Sequence, residues 1–186
     1  MNLLEKAKKS NKEAFYELVD QYNHIFYKTA RVFFTDDNDI YPVIEKSLLQ
    51  SFKDLVNVKS EKEFLCWTLR ILIFNCASQK EKFSKDYRKK LGNREVTICI
   101  TDKIAISEST VGNLEYQEYR NSSVVEEYIT SIEPSARIPS LLYFYANLSI
   151  EEISQILKDS KNEIEEIINK SRIKIYEMIK NKEVDL

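Results

Sequence analysis

The sequence predicts an all-α protein: two small helical domains joined by a linker, the second a helix-turn-helix domain. Three observations carry this expectation. Apolar residues recur at spacings of three and four, the period of a helix with one buried face. Gly occurs only twice and Pro three times in 186 residues, so long stretches are free of breakers. Five Ser-x-x-Glu pairs stand at the heads of such stretches, where Ser and Glu can cap each other's backbone N–H groups.

Residues 2–9 form a short first helix. Ser10 and Glu13 make a capping box that opens a helix with Phe15, Leu18, Val19, Tyr22, Phe26, Ala30 and Phe33 on its inward face. Residues 35–38 are a turn. Asp39 is the N-cap of the next helix, with Pro42 tolerated in its first turn, and Ile40, Val43, Ile44, Leu48, Phe52 and Leu55 face inward. After the loop 56–59, Ser60 and Glu63 cap the helix around which the chain is organised. Phe64 to Ala77 is apolar almost all round, the pattern of a buried helix. Past Ser78 come Lys80, Lys82, Lys85, Arg88, Lys89 and Lys90 against only Glu81 and Asp86. One continuous helix over 60–90 is therefore expected to anchor a core and then offer a basic arm.

The first domain is placed at 1–92 and a linker at 93–122, where helical periodicity is lost and only Val96–Ile100 has strand-like composition. The second domain is placed at 123–186. Its capping boxes, Ser123/Glu126, Ser149/Glu152 and Ser160/Glu163, predict helices over 124–132, 135–146, 150–157 and 161–180. The last two, joined by the short turn Lys158-Asp159-Ser160, follow the helix-turn-helix plan.

Composition narrows function. Hydrophobic residues at 43% suffice for a core, so the chain is not disordered. Cys66, Cys76 and Cys99 are odd in number and lack metal-type spacing, and read as reduced thiols. The single His24 belongs to no catalytic constellation. Neither an enzyme, a metal site nor a cofactor is expected. No apolar run reaches membrane-spanning length and no cleavable leader is evident, so membrane insertion is not expected and a cytoplasmic location is. The net charge of −2 conceals a split. Residues 1–90 carry 17 Lys+Arg and 13 Asp+Glu, residues 91–186 carry 11 and 17, so one half is suited to a polyanion.

Residues 11–18, NKEAFYEL, are similar to D-E-E-A-F-E-E-L. Residues 64–73, FLCWTLRILI, with Cys76 beyond, resemble F-x-x-W-L-x-R-I-L-I-N-x-C. Residues 148–157, LSIEEISQIL, are similar to L-S-Y-E-E-I-A-E-I-L. In this order and spacing, these are motifs of extracytoplasmic-function sigma factors of bacterial RNA polymerase, and the resemblance covers nearly the whole chain. It implies that the helix 39–55 docks on the clamp helices of the largest subunit of core polymerase, with Asp39, Glu45, Gln50 and Lys53 as contacts. It implies that the loop 56–63 holds a flipped base of the minus-ten promoter element, with Lys59, Lys62, Trp67 and Arg70 around it. Lys80, Lys82, Lys85, Arg88 and Lys89 meet the promoter backbone, and residues 160–172 enter the major groove at the minus-thirty-five element. Contacts there come from Ser160, Lys161, Asn169, Lys170, Arg172 and Lys174. An anti-sigma factor is a further implied partner.

Two of these assignments have structural competitors. Trp67 fits a core anchor better than a base-stacking platform, because large aromatics on apolar faces pack. The basic run could simply complement the helix dipole, but six cations against two anions in eleven residues favour phosphate. The chain departs from the family where an acidic pair is replaced by Tyr41-Pro42 and a Glu by Lys46. It departs again in the recognition helix, where Glu163, Glu165 and Glu166 stand in a normally basic stretch. Carboxylates facing phosphate repel it, so the first domain is expected to do more of the DNA work. The second would then serve to hold polymerase or to be held by an anti-sigma factor. The alternative functions are a sigma-like regulator that binds polymerase without reading the distal element, and a helical adaptor that binds only proteins.

Overall fold

A computed structural model describes residues 2–80 and 123–184. Among these residues every regular element is helical and no strand occurs. The chain divides into two compact units. The first carries α1 (Leu3–Lys8), α2 (Lys12–Asp20), α3 (Asn23–Arg31), α4 (Asp37–Lys53), a single 3-10 turn (Leu55–Asn57) and α5 (Glu61–Gln79). The second is built on α6 (Ser123–Ser131), α7 (Pro134–Phe144), α8 (Ile150–Leu157) and α9 (Lys161–Val184). The all-α expectation holds, and the four helices of the second unit start within a residue of their expected positions, three of them marked by capping pairs.

In the first unit α5 is the axis. Phe64 to Ile73 are buried without exception, and α3 and α4 pack against it. Its N-terminal ring, Phe64, lies 5.9 Å from Phe15 and 6.4 Å from Tyr22, while Phe15 meets Phe52 at 4.8 Å. These tilted and edge-on rings close the end of the core. Asn75 is buried within the α4–α5 seam and donates to Ser47 and Gln50 of α4.

Several local expectations are corrected. Ser10 does not cap α2. It has φ 61°, the left-handed residue that ends α1, and so cannot take the extended backbone an N-cap needs. Asn11 caps instead, its Oδ1 accepting from the N–H of Ala14 at 2.9 Å. The long helix expected from residue 11 breaks around Tyr22, which lets α2 pack on α1 while α3 turns onto α4 and α5. Asp36, not Asp39, caps α4, accepting from the N–H of Asn38 at 2.9 Å. Pro42 therefore lies inside the helix rather than in its first turn. In the Ser60/Glu63 box Ser60 accepts from Glu63 N–H at 3.1 Å, but Glu63 reaches the N–H of Lys59, at 2.7 Å, rather than that of Ser60.

The expected continuous helix over 60–90 also stops short. α5 ends at Gln79, and Lys80 has extended backbone, φ −103° and ψ 108°. The buried residues that hold α5 in the core end with Ala77, two residues before the helix does. The linker 93–122, the 96–100 stretch and Cys99 lie outside the described residues.

In the second unit α9 packs on α6 and α7 through Ile164, Ile168, Ser171 and Ile175. Ser171 is the polar centre of this core: the Tyr128 hydroxyl reaches it at 3.0 Å and the Ser140 hydroxyl at 2.9 Å, and it donates to the Ile167 carbonyl. Pro139 is accommodated inside α7, whose first residue is Pro134. Both arms of the Ser149/Glu152 box form, at 2.8 and 3.2 Å, and both arms of Ser160/Glu163 at 3.2 Å. Between α8 and α9, Lys158 turns the chain with φ 56° and Ser154 donates to the Asp159 carbonyl at 2.6 Å. The result is a helix, a three-residue turn and a longer helix.

Candidate polymerase and nucleic-acid interfaces

The outward face of α4 carries the first candidate surface. Its inward residues Ile40, Val43, Ile44 and Ser47 are buried, leaving the opposite stripe to solvent. A depression there is lined by Pro42, Glu45, Lys46, Leu49, Gln50 and Lys53. Three of the four polymerase contacts expected from the sequence thus meet in one place; Asp39 is exposed one turn earlier, outside the depression. The structure adds Leu49, 58% exposed, as an apolar residue at its middle, with Tyr41 also open to solvent. Leu49 was legible as an aliphatic residue between Lys46 and Lys53 on the outward face.

The second surface surrounds the start of α5. Lys59 is exposed and Lys62 half-buried. Trp67 and Arg70 are buried within the α5 row, at 6% and 8% exposure, so neither presents a flat face to solvent. Lys80 is half-buried, with its ammonium 5.4 Å from the centre of the Phe34 ring, a cation–π distance. Lys82, Lys85, Arg88 and Lys89 lie outside the described residues.

On α9, Ser160, Lys161, Asn169, Lys170 and Lys174 are all exposed. Three of its lysines, however, are paired locally. Lys161 bonds Glu151 of α8, Lys170 bonds Glu166 at 2.6 Å and Lys174 bonds Glu177 at 2.8 Å. The hydrogen bonds that Lys170 and Lys174 donate to Glu166 and Glu177 push these two ammonium groups up from their ordinary value. Arg172 turns back towards α7, its guanidinium 5.0 Å from the Tyr143 ring and bonded to that tyrosine's hydroxyl. This face therefore balances its own charge in place of offering a uniform cationic stripe.

Nothing else among the described residues gathers chemistry-bearing groups. No cluster of three or more His, Cys, Asp or Glu could hold a metal ion there, and His24 stands exposed on α3. Cys66 and Cys76 are buried and in no disulfide, and burial pushes the Cys76 thiol up to about 12. No helix among the described residues is long and apolar enough to cross a membrane.

No family model and no curated protein matches the chain. Solved structures do. One, the structure of CnrH in complex with the cytosolic domain of CnrY, aligns at a TM-score of 0.57 and 17% identity, covering 96% of each chain. CnrH is an extracytoplasmic-function sigma factor. The chain has an extracytoplasmic-function sigma-like fold. The alignment runs through both helical units, so the likeness extends well beyond the helix-turn-helix corner that many small bundles share.

Proposed function

We propose that this protein is an RNA polymerase sigma factor that recruits core polymerase to promoters and opens the minus-ten element. The observation that carries the reading is the sigma-like fold over 96% of the chain, with Glu45, Gln50 and Lys53 gathered on one exposed helix face. In this reading residues 1–92 are the polymerase- and minus-ten-binding domain, 93–122 the linker and 123–186 the distal-element domain. α4 docks on the clamp helices of the largest subunit through Leu49 and the polar side chains around it. The loop 56–63 receives an unstacked base, flanked by Lys59 and Lys62, and Lys80, Lys82, Lys85, Arg88 and Lys89 engage the backbone. The burial of Trp67 and Arg70 supports a part for them in holding this loop in shape. The protein acts in the cytoplasm, without catalysis of its own.

CnrH is in complex with the cytosolic domain of CnrY. By analogy, an anti-sigma domain is a partner proposed for this chain. A second reading has specific support: Lys161, Lys170 and Lys174 of α9 are matched by Glu151, Glu166 and Glu177, which favours a sigma-like regulator that holds polymerase without reading the minus-thirty-five element.

Run-off transcription with purified core polymerase from the same organism, across its genomic DNA, tests the proposal. Discrete start sites sharing an upstream sequence are expected. Stable binding to core without transcripts would favour the regulator, and neither binding nor transcripts would leave a helical adaptor.

A further inference from the structure

One side chain on the α4 face has its hydrogen-bonding sense set from inside the core. Ser47 is buried beneath that face and donates its hydroxyl to the Val43 carbonyl at 2.7 Å. A hydroxyl has one proton, so the same oxygen can only accept from the Asn75 amide, 2.9 Å away. The Asn75 atom at that position is therefore Nδ2. The second N–H on Nδ2 reaches the Gln50 amide at 2.7 Å, and the atom that receives it must be the acceptor, Oε1. With its oxygen held inward, the Gln50 amide turns Nε2 the other way. Gln50 thus offers N–H donors, not a carbonyl, to the depression it shares with Glu45, Lys46, Leu49 and Lys53.

We infer that Asn75 is a positioning residue that fixes Gln50 as a donor to a carboxylate or main-chain carbonyl on core polymerase. The inference rests on the docking reading above. Asn75, at 3% exposure, acts only through Gln50. The relay spans Val43, Ser47, Asn75 and Gln50, and every hydrogen in it has one permitted direction. A freely rotating glutamine would present oxygen or nitrogen indifferently and would lose rotamer freedom on binding. A held one is already in its bound form.

The test is equilibrium binding of the full-length protein to purified core polymerase, with thermal melting alongside. Gln50→Glu keeps the acceptor for Asn75 but replaces the outward donors by a carboxylate oxygen. Binding is expected to weaken about tenfold with little change in melting, the loss of one hydrogen bond at an interface. Asn75→Leu frees the Gln50 amide and is expected to weaken binding by about three- to tenfold, with no added loss in a Gln50→Ala background. Leu49→Ala, on the same face but outside the relay, tests the docking reading separately. If Leu49→Ala weakens binding and Gln50→Glu does not, the role given to Asn75 is overturned while docking through α4 stands. Equal losses from Asn75→Leu with and without Gln50 would likewise overturn it, since Asn75 would then be serving the fold alone. If neither surface variant changes binding, the docking reading falls and the inference with it. Should Asn75→Leu fail to fold, Gln50→Glu still decides, because it leaves the buried partners in place.

Discussion

The paired lysines of α9 make a quantitative prediction about DNA. Over residues 161–170 the exposed charges are Lys161 and Lys170 against Glu163, Glu165 and Glu166, a balance of −1. The double substitution Glu165→Lys with Glu166→Ser reverses this to +2 and removes the carboxylate that engages Lys170 at 2.6 Å. It spares Glu163, which completes the cap with Ser160 at 3.2 Å. The pair lost is an exposed one, of a kind that adds little to stability, so the melting temperature should hardly move. Two cations become available to phosphate, the introduced one and Lys170. With a slope of about −0.9 per phosphate contact, log K against log salt should steepen by about 1.8. Between about 200 and about 50 mM salt, that amounts to about tenfold more affinity gained than by the native chain. Fluorescence anisotropy with a labelled duplex, run as a salt series, reads both affinity and slope. If both equal those of the native protein, the exposed face of α9 does not approach DNA, and the distal-element role given to the second domain is wrong.

Other predictions are simpler. Replacing Lys80, Lys82, Lys85, Arg88 and Lys89 by Gln should abolish tight promoter binding and flatten the salt slope by about 4.5, if all five meet phosphate; core binding measured in parallel should stay intact. Phe64 is fully buried between Phe15 and Tyr22, and Phe64→Ala should cost about 3–5 kcal/mol in denaturant unfolding. Ser149→Ala should cost about 1 kcal/mol, because it removes the oxygen that accepts from Glu152 N–H. The Cys76 thiol is raised from its ordinary 9.0 to about 12 in the folded chain, so the unfolded chain loses that proton first as pH rises. Its contribution to stability is complete below about pH 9 and is lost between about 9 and 12. Unfolding measured across that window should fall less steeply for Cys76→Ala than for the native protein.

Much of the fold was legible because helix starts and buried stripes are written locally. Ser149/Glu152 and Ser160/Glu163 close reciprocal caps within three residues, and the row Phe64–Ile73, apolar but for Thr68 and Arg70, reads as a helix covered on all sides. The corrections arose where two local signals competed. Ser10 carries the chemistry of a cap but was taken as the left-handed end of α1, which handed the cap to Asn11. Asp36 and Asp39 are equally good caps in isolation; in the folded chain Asp36 takes the cap, and Asp37 in the first turn accepts from the Tyr27 hydroxyl at 2.8 Å. For the candidate surfaces, the stripe Glu45, Gln50 and Lys53 follows from helical spacing alone. That Arg172 turns onto Tyr143 does not, since that partner is 29 residues away in sequence.

By itself, then, the sequence determined the helical class, the second unit's helix starts, the buried axis α5 and the uneven distribution of charge. Each of these depends on neighbours within about one helical turn, or on composition. Tertiary structure alone decided that α2 and α3 are separate helices, that α5 stops at Gln79 and that the lysine at 161 meets Glu151 across the turn. It also decided that a buried asparagine turns the Gln50 amide outward as a donor from 25 residues away. Such contacts join groups that chain proximity never brings together, and their free energy exists only once the core has formed around them.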